Sequence, residues 1–421
     1  MKFQFVSVSS FFVYLLPAAL ISGPLIPDLI VTFLSIAFIL FAVKEKKYTY
    51  FQNNFFYLFL IFWTTCILSS LLSEELFFSL KSSAVFIRFG FFSILIYFII
   101  KNNPNFIKFF YYSSLIAMCI LLLDAYTQKF LGTNVLGKSP VIISKISGLF
   151  GSEEILGTYL LRISPILLSV SFLLKGKKNI FLIFFYLLIE PMIFYSGQRA
   201  IFYMSLIFIA GILIFIKHDK KSLLALLILL AFLFYNLFFD KNYNHRMIKD
   251  ITGNYQVFQP QNFDKEKKYS VFKFMFYSPN QTILWISSLN IFMENKIIGA
   301  GPNTFRKICE QYKPSIVSEF NKCSTHPHNF LFQLLAELGL LGFFIYAAIY
   351  IGLTMKLISN LYQKFIFNTS YNPAESILII AILINFFPLI TNGNFFNNYL
   401  SIINFLPFGF LLNFKKEKKW T

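Results

Sequence analysis

Apolar runs long enough to cross a bilayer recur along the whole chain, and they restrict its fold more than any other feature. A run of about 18 or more apolar residues is typical of a transmembrane helix. The chain is 57% hydrophobic and contains 58 phenylalanines, which is more apolar surface than one soluble core needs. We therefore predict an all-α, polytopic membrane protein with about twelve transmembrane helices. The predicted spans are 4–22, 25–43, 54–72, 84–100, 108–124, 156–174, 179–196, 200–216, 222–239, 329–355, 372–390 and 395–414.

Many of the basic residues behind the formal charge of +18 stand in short lysine clusters between the apolar runs. Basic residues in short loops favour the cytoplasmic side of a membrane. Twelve spans put both termini on one side, and cytoplasmic termini place every cluster inside. No basic stripe with interleaved aromatic residues accompanies the charge, which disfavours a nucleic-acid partner. The clusters are Lys44, Lys46 and Lys47; Lys175, Lys177 and Lys178; Lys217, Lys220 and Lys221; and Lys415, Lys416, Lys418 and Lys419.

Two outer connections are long, and the longer one divides the chain. They cover roughly 125–155 and 240–328. We expect an N-terminal membrane bundle of about nine spans at 1–239, a large periplasmic loop at 240–328 and a C-terminal membrane bundle of about three spans at 329–421. The first apolar run has no small-x-small site before the next run begins, so no cleaved signal peptide is expected.

The large loop itself carries a helical pattern. Apolar and aromatic residues recur at helical spacing between Ile283 and Met293. Gly299, Gly301 and Pro302 then mark a turn. A loop of this length without low complexity is usually functional, so we expect it to fold back over the membrane.

Two of the four histidines lie together where this loop meets the tenth apolar run, in Thr325-His326-Pro327-His328-Asn329. A group that titrates near neutral pH, placed at the boundary of lipid and water, suits acid–base chemistry. The two histidines alone do not complete a recognisable zinc ligand set, so no metal is expected. We interpret His328 as a catalytic base or as a partner that orients a hydroxyl, with His326 and Asn329 supporting it.

Arginines at the outer boundary form the second group of candidates. Arg199 follows Gln198 at the outer end of the seventh span, and its planar guanidinium matches phosphate oxygens in bidentate fashion. The alternative is an arginine that merely snorkels to the headgroups. Arg246 lies near the same membrane face and is a candidate second phosphate ligand. Arg306 reads as a solvated loop residue and is held in reserve for that role.

Charged residues inside the apolar spans have a structural interpretation. Arg162 and Glu190 fall within the sixth and seventh spans. The two could pair, which would offset the cost of burying either charge alone. We interpret such an ion pair as structural, and the alternative is that the two residues line a substrate groove.

The cysteines predict one cross-link. Cys309 and Cys323 both lie in the outer loop, where oxidation is possible. A disulfide between them would close a short loop just before His326, a constraint worth about 3 kcal/mol of unfolding free energy. The alternative is two free thiols.

Three stretches of the chain resemble the bacterial O-antigen ligases and the related O-antigen polymerases. The most specific is His328-Asn329, followed after nine residues by Gly339-Leu340-Leu341-Gly342. It is similar to the signature that ends the large periplasmic loop of that family. The stretch 196–199 is similar to the family's Ser-x-x-Arg step, and 297–305 to its Pro-Leu-x-Gly-x-Gly segment. The resemblance extends to the topology of twelve spans with one large outer loop.

The resemblance implies a GT-C-like membrane glycosyltransferase of the bacterial inner membrane that uses neither metal nor nucleotide. Such an enzyme moves a glycan from undecaprenyl diphosphate onto a hydroxyl acceptor at the periplasmic face. By the resemblance, His328 would take the acceptor proton while Arg199 and Arg246 hold the diphosphate. Fixed cations aimed at a departing diphosphate stabilise its developing charge.

One departure from the family pattern concerns the second cation. Family members often carry an arginine four residues before a loop tryptophan, whereas Gln281 stands four residues before Trp285 here. We therefore assign the second phosphate contact to Arg246 and keep Arg306 as the alternative.

The expected function is glycosyl transfer in the assembly of cell-surface polysaccharide or lipopolysaccharide. Ligase is favoured over polymerase because the spacing of the signature at His328 is similar to that branch. The acceptor is then lipid A core, and for a polymerase it is a second lipid-linked glycan. A transporter or flippase of lipid-linked saccharide is the alternative from another class, and it predicts polar residues at the bilayer midplane.

Overall fold

The computed structural model of the protein describes residues 2–142, 144–174, 176–249, 279–313, 323–367 and 371–414. Regular structure in these ranges is helical, with one isolated bridge between Ile142 and Lys145. Lys175, the lysine cluster at the C-terminus and the middle of the large loop lie outside the described residues.

The helices follow the predicted spans. In the described ranges, eight helices are long and apolar enough to cross a membrane, and four apolar helices are shorter. Each of the twelve overlaps one predicted span, so the all-α polytopic class is confirmed. In chain order the helices are α1 (Lys2–Ile21), α2 (Leu25–Lys44), α3 (Asn54–Leu71), α4 (Leu76–Asn102), α5 (Phe106–Leu131), α6 (Leu156–Ser171), α7 (Lys177–Tyr195), α8 (Arg199–Phe215), α9 (Lys220–Phe238), α10 (Pro279–Glu294, in the large loop), α11 (Phe330–Phe365), α12 (Pro373–Asn385) and α13 (Asn398–Phe414).

The helices at the centre and at the edge of the bundle bury different shares of their apolar surface. Every residue of α6 is buried, which identifies it as a central helix. The edge helix α9 instead exposes a broad apolar face that includes Leu224 and Leu227. Such faces are stable when lipid covers them, in keeping with a protein that spans a membrane.

Two contacts show that α7, α8 and α11 have ends on one common face of the bundle. The Lys178 ammonium near the start of α7 donates to the Lys217 carbonyl just after α8, at 3.0 Å. Lys364 near the end of α11 donates to the Ile214 carbonyl near the end of α8. We call this the lysine face. Because α8 and α11 both end here, they both begin on the opposite face, which we call the loop face.

The large loop is joined to α11 through a break in that helix. Gly339 has φ 61° and ψ −156°, so the helical path stops there and restarts. The backbone N–H of Leu340 donates to the Lys296 carbonyl at 2.8 Å, and that of Ala300 donates to the Ala336 carbonyl at 2.9 Å. A Cβ on Gly339 would lie 2.6 Å from the Ile297 carbonyl carbon. The break therefore supplies backbone groups that the loop pairs with.

Glycine is also required in the loop segment that contacts the break in α11. A Cβ on Gly299, whose φ is +79°, would lie 2.3 Å from the Glu337 carbonyl carbon. Only a residue without a side chain allows this close backbone approach. The glycines of the 297–305 stretch and of the stretch after His328 thus meet, and we call the contact between 296–301 and 336–341 the glycine junction.

The expected ion pair between Arg162 and Glu190 is wrong. The Arg162 guanidinium donates to the Asn404 side-chain oxygen at 2.8 Å. Glu190 accepts from the Ser205 hydroxyl at 2.6 Å. Each group bonds to a neutral partner on a different helix, while Glu190 Oε2 is buried without a hydrogen-bond partner among the described residues. Spacing along the chain does not encode this choice of partners.

Candidate active site

His328 occupies a strained backbone position just before α11. Its φ is 56°, in the left-handed region that non-glycine residues rarely adopt. The backbone is held there because the His328 carbonyl accepts from the Asn392 N–H at 2.8 Å. The ring Nε2 forms a hydrogen bond with the Ser324 hydroxyl at 3.1 Å. Strain of this kind persists only where the surroundings enforce it, and it concentrates at functional sites.

Asn329 fixes the same turn through its side chain. Its Oδ1 accepts from the backbone N–H of Leu331 at 2.9 Å and of Phe332 at 3.2 Å, which caps the N-terminus of α11. Its Nδ2 donates to the carbonyls of Pro388 and Ile390 at 2.9 and 3.1 Å. Asn329 therefore ties the helix start to the segment between α12 and α13, which is a structural role.

His326 lies against His328, with the ring centroids 4.1 Å apart. Its Nδ1 forms a hydrogen bond with the Thr325 hydroxyl at 2.9 Å. Its Nε2 is buried and has no hydrogen-bond partner among the described residues. Burial, with the neighbouring His328, lowers the pKa of His326 to about 3, so this ring is neutral at physiological pH.

His328 is the better proton acceptor of the two. Burial lowers the pKa of His328 below its usual value of 6.5. The ring is then neutral near pH 7 and has a nitrogen able to take a proton. A base whose pKa lies closer to the working pH transfers protons more efficiently, and this separates His328 from His326.

The loop helix α10 covers the histidine turn. The Trp285 indole N–H donates to the Pro327 carbonyl at 2.9 Å, between the two histidines. Its ring stacks on Phe332 with centroids 4.8 Å apart. The expected helix over Ile283–Met293 is confirmed, and α10 contacts the first turns of α11.

A disulfide closes the segment before the histidines. It joins Cys309 to Cys323, whose Cα atoms are 6.0 Å apart. The Cys323 N–H also donates to the Glu310 carboxylate at 3.0 Å. Because its sulfur is bonded to Cys309, Cys323 is not available as a thiolate ligand beside the two histidines.

Arg306 belongs to a network of side chains next to the histidines. Its guanidinium donates to the Asn303 side-chain oxygen at 2.9 Å, and Asn394 donates to the same oxygen at 2.8 Å. The arginine is exposed, yet its charge acts on His326 and contributes to the lowering of that pKa. Arg306 is thus an exposed residue held by Asn303, with its charge close enough to affect His326.

Buried amide and carboxylate groups hydrogen-bond to members of this network. Gln333 donates to Asn394 at 2.8 Å and to the Glu337 carboxylate at 2.9 Å. Glu337 also accepts from the Phe305 N–H at 3.1 Å. The buried Glu337 carboxylate therefore fixes the backbone next to Arg306. Asn303 has φ 64°, a second strained non-glycine position in this site.

The Arg246 side chain lies against the turn that begins α8, at a separate point on the loop face. Its Nε donates to the Gly197 carbonyl at 2.8 Å. Arg199 is the first residue of α8, two positions further along the chain. A Cβ on Gly197 would lie 2.7 Å from the Arg246 Nε and 3.0 Å from the Lys145 Cγ. Lys145 therefore lies at the same turn as Arg246, and it also pairs with the Glu154 carboxylate.

Gln198 fixes the turn that presents Arg199. Its Oε1 accepts from the Thr158 N–H at 2.8 Å, and its Nε2 donates to the Glu154 carbonyl. These bonds connect the start of α8 to the start of α6. The geometry gives Gln198 a positioning role.

The structure thus forms two groups of candidate residues. The histidine group comprises His326, His328 and Arg306, and the arginine group comprises Arg199 and Arg246 with Lys145. Both lie on the loop face, because α8 and α11 begin there. That both groups converge on one substrate is a proposal.

Sequence reasoning missed several members of these groups. Lys145 stands in the first long outer connection, where a lone lysine gives no signal. Asn394 donates a hydrogen bond to Asn303, and the two residues are 91 positions apart in the sequence. Only Glu337 had a usable signal, because a single carboxylate within an apolar run is expensive and usually functional.

Comparison with protein-family models matches residues 180–347 to the family described as O-antigen ligase. The matched range begins in α7 and ends beyond the break in α11. It contains both candidate histidines and the three candidate arginines, whereas Lys145 lies before it. A search of curated proteins finds no match to the chain.

Proposed function

We propose that this chain, whose residues 180–347 match the family described as O-antigen ligase, transfers a saccharide from undecaprenyl diphosphate to a hydroxyl acceptor. The family match supports a role in polysaccharide assembly at a membrane. The observation that carries the finer proposal is the neutral His328, held at φ 56° on the face that also presents Arg199 and Arg246.

The proposed reaction is a displacement at the anomeric carbon of the donor. The acceptor oxygen forms a bond to that carbon while its proton passes to His328. The bond between the anomeric carbon and the diphosphate oxygen breaks, and its electron pair leaves with the diphosphate. Arg199 and Arg246, with Lys145 beside them, would stabilise the negative charge that develops on the leaving group. His328 then returns its proton to solvent.

Arg306 has a distinct place in this scheme. Its position beside His326 supports a contact with the donor near the acceptor side rather than a purely solvated role. Two or more cations around a diphosphate provide charge stabilisation of the kind that arginine clamps give to transferring phosphoryl groups. We therefore assign Arg199 and Arg246 to the diphosphate and place Arg306 between the diphosphate and the base.

We further propose a location for the reaction. The lysine clusters favour cytoplasmic termini, which places the loop face at the periplasmic side of a bacterial inner membrane. The acceptor is then lipid A core if the protein is a ligase, as the spacing after His328 favours. A polymerase would use a second lipid-linked glycan at the same residues.

Replacing His328 by Ala in the purified protein tests the chemical assignment. Transfer from a lipid-diphosphate-linked donor should fall about 100-fold or more, since general-base catalysis contributes roughly that factor. Donor binding should change little, because the diphosphate ligands remain. Thr325→Ala is the matched control on the same turn. Full transfer activity in the His328 variant would remove that residue from the mechanism.

A deletion strain tests the choice of acceptor. Loss of a ligase should leave long polymer attached to its lipid carrier. Loss of a polymerase should instead leave single units attached to lipid A core. The second pattern would replace ligase by polymerase without changing the proposed roles of the residues.

A further inference from the structure

A cavity lies within the membrane part of the bundle, and its deep end reaches Phe386 and Phe395 in the segment between α12 and α13. Its volume is about 1050 Å³, and its walls come from α3, α11, α12 and α13. Aromatic rings such as Phe59, Phe62 and Phe408 supply much of the wall. Neither His328 nor any of the candidate arginines lines it.

The cavity extends inward from one end of α12. Along that helix it runs from Glu375 in the first turn to Phe386 just after the helix. That stretch is about 16 Å long at 1.5 Å per residue. The hydrocarbon core of a bilayer is about 30 Å thick, so the wall on α12 is about half as long as that core. Because α12 begins where α11 ends, this half adjoins the lysine face.

Polarity is ordered from one end of the cavity to the other. Gln52, Asn54 and Asn372 line the end at the lysine face, together with Lys356 and Glu375. The end that points to the bilayer centre is lined by aromatic side chains instead. A polar end at the leaflet surface followed by an apolar channel matches a lipid, which has a polar headgroup and apolar acyl chains.

The charges at the polar end indicate which headgroup fits. Lys356 and Glu375 are the charged side chains among the described residues that line the cavity. Their nearest atoms are 3.5 Å apart, and the lysine side chain is 47% exposed while the carboxylate side chain is 12% exposed. The pair is neutral overall. An anionic headgroup would meet the Glu375 carboxylate as a like charge, whereas a headgroup with both charges can complement both residues.

We propose that this cavity binds one phospholipid with a zwitterionic headgroup from the leaflet at the lysine face. The phosphate lies beside Lys356, the ammonium group lies beside Glu375, and an acyl chain runs along the aromatic wall towards Phe386. None of the residues assigned to the transfer reaction lines the cavity, so its occupancy can be measured without any glycosyl transfer.

Gly352 offers a way to block the site without disturbing the protein. It lines the cavity, and a Cβ added there would meet no atom within 4 Å. A large side chain at this position can therefore enter the cavity. Ile351, its neighbour on α11, is 60% exposed and does not line the cavity, so it provides a matched control.

Native mass spectrometry of the delipidated full-length protein tests the proposal with three added lipids: phosphatidylethanolamine, phosphatidylglycerol and undecaprenyl phosphate. We expect one phosphatidylethanolamine to bind at least 10-fold more tightly than phosphatidylglycerol. Gly352→Trp should weaken that binding at least 10-fold, and Ile351→Trp should leave it unchanged. Replacing both Lys356 and Glu375 by Gln should remove the preference between the two phospholipids.

Several outcomes would overturn the proposal. Equal or tighter binding of phosphatidylglycerol would contradict the assigned headgroup. Undecaprenyl phosphate that competes with phosphatidylethanolamine and is blocked by Gly352→Trp would reassign the cavity to the lipid carrier. Unchanged binding in a Gly352→Trp protein that melts at the same temperature as the Ile351→Trp protein would show that phospholipid binds elsewhere.

Discussion

At the scale of single residues, two neighbouring histidines have different chemical properties because their surroundings differ. His326 is buried with an unpartnered Nε2, and its pKa is lowered to about 3. His328 is less buried and forms a hydrogen bond with Ser324. The sequence selects His328 through its resemblance to the family signature, but it does not predict the difference in burial, which depends on how α10 and the 386–397 segment pack over the two rings.

The lowered pKa of His328 predicts how transfer depends on pH. The neutral ring is the active form, so kcat/KM should be constant above about pH 6.5. The value should fall as pH drops through the lowered pKa of His328, because the protonated ring cannot accept a proton. A pH profile with purified protein measures this, and the residual activity of His328→Ala should lack that acidic limb. An acidic limb that persists in the variant would assign the titration to another group.

Glu337 should matter for stability as well as for the position of Arg306. Glu337→Ala leaves the buried Phe305 N–H without its acceptor and removes one of the two acceptors of the Gln333 amide. Such losses cost about 1–3 kcal/mol of unfolding free energy. Thermal unfolding in detergent, compared with Glu294→Ala, measures the difference. Glu294 accepts from the exposed Tyr312 hydroxyl, so its loss should cost much less, and equal destabilisation by both changes would contradict the proposed role.

At the scale of helices, the apolar runs predict the elements and the contacts between elements decide the site. The first and last residues of α3 and α8 agree with the predicted spans to about one position. The start of α4 does not, because Leu76–Ser83 carries polar residues that the hydropathy pattern excludes. The prediction of an ion pair at Arg162 was wrong and the hydrogen-bond network at Arg306 was not predicted, both for the same reason. Partners such as Asn404 and Asn394 become neighbours only when the helices pack.

The glycine junction makes one position in α11 unusually intolerant of side chains. Gly339→Ala adds a Cβ that would lie 2.6 Å from backbone atoms of Ile297, at a φ of +61°. The strain should cost about 1–3 kcal/mol of unfolding free energy, with loss of transfer activity as the loop shifts. Gly352→Ala lies in the same helix with open space around it. It should stabilise the protein by up to about 1 kcal/mol, and unfolding curves of both variants that overlay would contradict this account.

At the scale of the whole molecule, the arrangement of the two faces predicts the accessibility of each connection. If the loop face is periplasmic, a cysteine at Ser152 should react with a membrane-impermeant thiol reagent in intact spheroplasts. A cysteine at Lys221 on the lysine face should react only after lysis. Both variants are made with the free cysteines Cys66 and Cys119 replaced by Ala. The reverse labelling pattern would invert the proposed topology.

The glycine junction also determines what can be transplanted between proteins of this architecture. Backbone N–H and carbonyl groups of 296–301 and 336–341 hydrogen-bond to one another in both directions. Either segment therefore loses its hydrogen-bond partners when it is moved alone. A chimera that receives only the outer segment would retain a broken helix with nothing to dock against. In a chimera, residues 279–342 therefore have to be exchanged together, as one unit that runs from the aqueous loop into the bilayer.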